Sequence, residues 1–117
     1  MKYMMLIAGD EAQWTARTEE ETRALYERIG AFWSAEASAG RIVEGEELEP
    51  VATATTVRIG ADGATAVTDG PFIEGKEAVG GYAILEVADL DAALSLASRW
   101  PVPGGVLEVR PIVQRDG

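Results

Sequence analysis

The sequence predicts an α+β fold: a ferredoxin-like sandwich in which an antiparallel sheet carries two helices on one face. Three observations predict it. Apolar strand-like runs and helical segments follow one another as strand, long helix, hairpin, strand, helix, strand. The longest periodic segment opens on a helix capping box and closes on glycine. The chain has 117 residues, 47% hydrophobic and 26% charged, which suits one globular domain with one core. No internal repeat, low-complexity stretch or linker divides it.

The run Tyr3 to Ala8 is short, apolar and closed by Gly9; it reads as a central strand, apolar on both faces. Asp10 to Arg17 reads as a polar connection carrying Trp14. From Thr18 to Gly40 the pattern is helical. Thr18 and Glu21 form a capping box, and Leu25, Ile29, Phe32 and Trp33 share one face. Gly40 supplies the left-handed terminating residue. Arg41 to Pro50 is a short acidic segment with a strand around Ile42 and Val43. The β-branched runs 53–59 and 64–68, joined by Gly60-Ala61-Asp62-Gly63, form a hairpin. After the loop Asp69-Gly70-Pro71-Phe72, Val79 to Val87 reads as a long strand. Asp89 caps a second helix from Leu90 to about Arg99, with Leu90, Ala93, Leu94 and Ala97 as its buried face. Val106 to Val113 is the last strand.

Charge and missing residue types narrow the function. Twenty acidic and ten basic side chains give a formal net charge of −10. No two basic residues are adjacent, so neither nucleic acid nor an anionic membrane surface finds a basic face here. With no cysteine there is no thiolate chemistry, disulfide or zinc finger. With no histidine there is no imidazole base and no Ser-His-Asp triad, so acid–base work falls to carboxylates, Tyr, Lys or water. The acidic run Glu44, Glu46, Glu47 and Glu49 reads as a solvated loop rather than a cation site, and no cofactor or metal is indicated. The N-terminal apolar run is too short for a secretory leader, and no stretch approaches the ~18 apolar residues of a membrane helix. The expected location is cytoplasmic.

Two helices cover only one side of a sheet. On the other side the strand over 79–87 presents Tyr82, Ile84 and Glu86, and the last strand presents Glu108 and Arg110. That mixture is too apolar for open solvent and too polar for a dry core. It suits sheet-to-sheet packing in a homodimer around a partly polar cavity.

Three segments together carry a family resemblance. They are Met1 to Ile7 with Gly9-Asp10-Glu11; Thr68-Asp69-Gly70-Pro71-Phe72 with Lys76-Glu77 and Gly80-Gly81-Tyr82; and Glu108-Val109-Arg110-Pro111. The chain resembles the YCII-related superfamily, in the branch named for its DGPF motif, over nearly its whole length. The resemblance implies a dimeric α+β barrel. Members of the YCII-like group carry a His–Asp pair proposed for lyase-type chemistry, and this chain has no His. Genes of this kind beside sigma-factor genes also suggest a regulatory role.

The candidate residues each have a bland and a functional reading. Asp69 either organises its own turn or acts as a carboxylate base. Arg110 either pairs with Glu108 or Glu86 or grips an anionic ligand. Tyr82 and Glu86 either pack or orient substrate. Trp14, Trp33 and Trp100 read as core or dimer contacts rather than a stacking platform, and Lys76 as an exposed loop lysine. Asp89 and Asp91 read as acids of a helix N-terminus, and Gly80-Gly81 lacks a phosphate-cradling context. The expected function is a homodimer binding a small anionic or phenolic molecule. It would catalyse proton transfer or elimination with Asp69 as base, Tyr82 and Glu86 orienting, and Arg110 with Glu108 binding the ligand. The alternative is a non-catalytic ligand sensor or regulatory partner.

Overall fold

The computed structural model describes residues 1–115. Strand β1 (Lys2–Asp10) leads into a short helix α1 (Glu11–Thr15) and the long helix α2 (Glu19–Ser38). Strand β2 (Ile42–Glu47) and a 3-10 turn (Val51–Thr53) precede the hairpin β3 (Thr55–Ile59) and β4 (Thr65–Asp69). Strand β5 (Glu77–Glu86), helix α3 (Leu90–Ala97) and strand β6 (Val106–Pro111) complete the chain. Four strands form an antiparallel sheet in the order β2-β5-β1-β6, and β3-β4 form a separate two-stranded sheet. This is the α+β, ferredoxin-like arrangement that the element order predicts, with the hairpin inserted between β2 and β5.

The pleat sorts the side chains. Tyr3, Met5, Ala83, Leu85 and Val87 point to the helical face and are buried with Ile42. Ala93, Leu96 and Ala97 of α3 pack there, joined by Phe32 and Trp33 of α2. Burying each large apolar side chain contributes about 1.5–3 kcal/mol. The Thr18–Glu21 capping box forms as expected, and Gly40 takes φ +78° just beyond α2.

Three expectations need correction. The segment 10–17 is not a plain connection: the Asp10 side chain accepts from the Ala12 amide at 2.9 Å and starts α1. On α3, Ala93 and Ala97 are buried as expected, but Leu96 completes the buried face in place of Leu90 and Leu94, which are nearly half exposed. The helix is rotated about its axis relative to the expected face, with the two alanines common to both. The last strand stops at Pro111 rather than Val113, while β5 starts two residues early at Glu77.

The hairpin stands away from the main body as an arm. Val57 (57%), Ile59 (73%) and Val67 (65%) are exposed on one face. An isolated two-stranded ribbon is marginal in water. The radius of gyration is 16.4 Å, against about 13 Å for a compact chain of this length.

Candidate functional site

The open face of the sheet brings together four of the five residues singled out from the sequence. Glu86 lies beside Lys2, Ile84 beside Met4, and Tyr82 beside Leu6 on β1. On the other side of β1, Arg110 lies beside Met4 and Glu108 beside Leu6. Polar groups therefore ring an apolar centre. The Tyr82 hydroxyl donates to Glu44 at 3.4 Å. Its pKa is pushed up, first by burial and then by the Glu44 charge. Arg110 pairs with Glu108 at 3.3 Å, and Glu86 with the Met1 amino group at 3.2 Å.

Asp69 is elsewhere. It ends β4 on the arm, opposite Thr55, in the other sheet. Its turn is held by backbone and hydroxyl groups: Gly70 N–H donates to Ala54 O at 2.8 Å, and Thr56 Oγ1 donates to Gly70 O at 2.6 Å. Gly70 takes φ +100°, which favours glycine. The Asp69 carboxylate makes no hydrogen bond among the described residues, so the turn does not use it as a cap.

A second feature was not foreseen. On the helical side, where α1 and α2 meet the ends of β1, β2 and β5, lies an open cleft of about 990 Å³. All three tryptophans line it: Trp14 from α1, Trp33 from α2 and Trp100 from the turn after α3. Trp14 meets Tyr26 edge-to-face at 5.7 Å, and Trp100 meets Phe32 likewise at 5.5 Å. The Arg17 guanidinium sits 5.0 Å from the Trp14 ring centroid and donates to Pro103 O at 3.3 Å.

The floor of the cleft requires glycine. A Cβ on Gly45 would lie 2.5 Å from both the Trp33 ring and the Tyr82 carbonyl oxygen. Trp33 therefore rests against bare backbone at the edge of the sheet. Gly30, across the cleft on α2, has nothing within 4 Å of such a Cβ.

At one wall, Tyr26 Oη donates to Glu47 Oε2 at 2.6 Å. This bond, burial and the Glu47 charge together push the Tyr26 pKa up to about 12. A neutral phenol on a carboxylate can hold that carboxylate in one rotamer and leave its second oxygen for a ligand. Among the described residues no group of three acids converges as a metal site. The sequence supplies Trp33 and Gly45, but only the packing of α2 against β2 brings the indole onto the glycine and so reveals the cleft.

The YCII-related domain model matches residues 1–115 of the chain. The chain is also similar to a Rhizobium meliloti (strain 1021) protein named "Uncharacterized protein R00369". The two are 35% identical over 115 residues, covering 96% of this chain and 92% of that one.

Proposed function

The chain belongs to the YCII-related family, and from that premise we propose that it is a homodimer binding a small organic molecule in the aromatic cleft of each copy. One observation carries the reading: an aromatic-walled cleft of about 990 Å³ in which the Tyr26–Glu47 pair supplies an oriented carboxylate. Ligand pockets are concave and mostly apolar with a few placed polar groups. Glu47 is the group to accept a proton in a proton-transfer or elimination step, and Tyr26 orients it.

The dimer reading draws on surface area. The chain exposes 8066 Å², about 1,900 Å² above the roughly 6,100 Å² of a monomer of this mass. A stable interface needs about 800 Å² per partner. Part of that surface is apolar: Met4, Leu6 and Ile84 at the sheet centre are only half-buried, and Val57, Ile59 and Val67 of the arm are exposed. In this reading Tyr82, Glu86, Glu108 and Arg110 frame the dimer face, and Asp69 belongs to the arm. Glu47 is exposed in the single chain, and an exposed carboxylate is a weak base. This favours a second reading, in which the protein senses the ligand without turning it over.

The experiment has two parts. Light scattering should give twice the chain mass of 12.4 kDa, and Ile84→Asp should return it to one. A thermal-shift screen of small organic compounds should give stabilising hits that Gly30→Leu abolishes, since that side chain grows into open cleft space. A monomeric wild type contradicts the dimer; hits that survive Gly30→Leu contradict the cleft. Hits recovered unchanged after incubation favour the sensor.

A further inference from the structure

The charge around the cleft is one-sided. Asp10, Glu11, Glu47 and Glu49 line it, and Arg17 is the one cation among its lining residues. Glu46 lines it too, but strand alternation turns its side chain to the open face with Tyr82. None of the four acids forms an ion pair among the described residues; the ion pairs engage Glu36, Glu86 and Glu108. Their known partners are neutral. Ala12 N–H donates to Asp10, Val51 N–H to Glu11, and the Tyr26 hydroxyl to Glu47, each engaging one carboxylate oxygen.

The one cation present is held on a ring. Arg17 lies over Trp14 and spends a donor on the Pro103 carbonyl. The indole faces of this cleft therefore attract positive charge, as aromatic quadrupoles do. Trp33 and Trp100 are half-buried on the same cleft, with Ile29 and Val102 beside them. An anion entering here meets four carboxylates and a single arginine. A cation meets uncompensated carboxylates and aromatic faces. The net charge of −10 adds long-range attraction of the same sign.

Resting on the reading that the cleft is a small-molecule site, we propose that it selects a protonated organic amine with an aromatic or other apolar body. The ammonium lies at the Glu47 end and the apolar body lies between Trp33 and Trp100. This reverses the charge of the anionic ligand expected from Arg110, which lies on the other face of the sheet.

Because all three tryptophans of the chain line the cleft, intrinsic indole emission reads occupancy directly. The test titrates the wild-type protein at neutral pH with three probes on one skeleton: phenethylamine, 2-phenylethanol and 3-phenylpropionate. Phenethylamine should change the emission at millimolar concentration or below and bind about tenfold more tightly than 3-phenylpropionate. Glu47→Gln retains an acceptor for Tyr26 and removes the charge. It should weaken the amine about fivefold and leave 2-phenylethanol unchanged. Binding of 3-phenylpropionate or 2-phenylethanol equal to or tighter than the amine overturns the cation assignment and leaves the cleft reading standing. No emission change with any probe up to about 10 mM overturns both. Equal amine binding by wild type and Glu47→Gln, with the variant's melting temperature unchanged, overturns the placement of the ammonium.

Discussion

Tyr26 on α2 and Glu47 at the end of β2 share a hydrogen bond of 2.6 Å, which ties the long helix to the edge of the sheet beside the cleft. The bond is made by the phenol in its neutral form. Losing the proton would set a phenolate against a carboxylate, so the Tyr26 pKa rises to about 12. In a Tyr82→Phe background, which removes the other raised phenol, ultraviolet titration should show one tyrosine ionising near that value. Adding Glu47→Gln should move it back toward the ordinary value of about 10. Because the folded pKa is the higher one, this contribution to stability is complete below about pH 10 and is lost as the pH rises toward 12. Tyr26→Phe should flatten the melting-temperature curve over that interval.

Glu36 is the one buried charged side chain among the described residues, 4% exposed. It accepts from Arg41 Nε and, at 2.7 Å, from Arg99 Nη2, so the end of α2 is pinned to the end of α3. The two arginines are half exposed and can rehydrate when Glu36 is neutralised. Glu36→Gln should therefore cost only about 1 kcal/mol. The Arg41→Ala, Arg99→Ala double variant strands a buried carboxylate and should cost about 3 kcal/mol. Denaturant unfolding of the two variants checks the ranking. The hydrogen bond from Arg41 holds the Glu36 carboxyl below its ordinary pKa against the effect of burial, with Arg99 adding to it. Its stabilisation is thus present above about pH 4.3 and lost as the pH falls below that. Glu36→Gln should lose less melting temperature than wild type between about pH 5 and about pH 3.

Two glycines of the cleft should respond oppositely to the same methyl group. At Gly30 a Cβ meets open space within a helix, so Gly30→Ala should stabilise by about 1 kcal/mol and raise the melting temperature by about 4 °C. At Gly45 a Cβ collides with the Trp33 ring and with backbone. Gly45→Ala should destabilise by about 3 kcal/mol and shift the tryptophan emission. Calorimetry with fluorescence reads both. Equal and small effects would mean that Trp33 does not rest on Gly45.

Much of this fold was legible in the sequence because local chemistry and tertiary packing agree there. The Thr18–Glu21 box, Gly40 and the strict alternation of Tyr82, Ile84 and Glu86 against Ala83, Leu85 and Val87 each state one answer. On α3 the pattern gives Ala93 and Ala97 correctly but not Leu96, because Leu90 and Leu94 continue the helical spacing of the two alanines on one side as Leu96 does on the other. Only the rotation of the helix against the sheet decides between the leucines. Glu36 gave no signal, since its two arginines lie 5 and 63 residues away. The same holds for the cleft. Tyr26 and Glu47 are 21 residues apart, and the three tryptophans come from three different elements. The open-face residues were found because strand periodicity places them; their ring around Met4 and Leu6 needed the register of β6.

The most direct test of the central claim is chemical-shift mapping on labelled wild-type protein with whichever of phenethylamine and 3-phenylpropionate binds more tightly. The cleft reading predicts that the indole N–H signals of Trp14, Trp33 and Trp100 and the amides of Gly45 and Gly104 move together on titration. Signals of Ile84, Glu108 and Arg110 should stay in place. Shifts centred on those three open-face residues, with the indoles unmoved, would contradict the account and return the site to the face where the sequence first placed it.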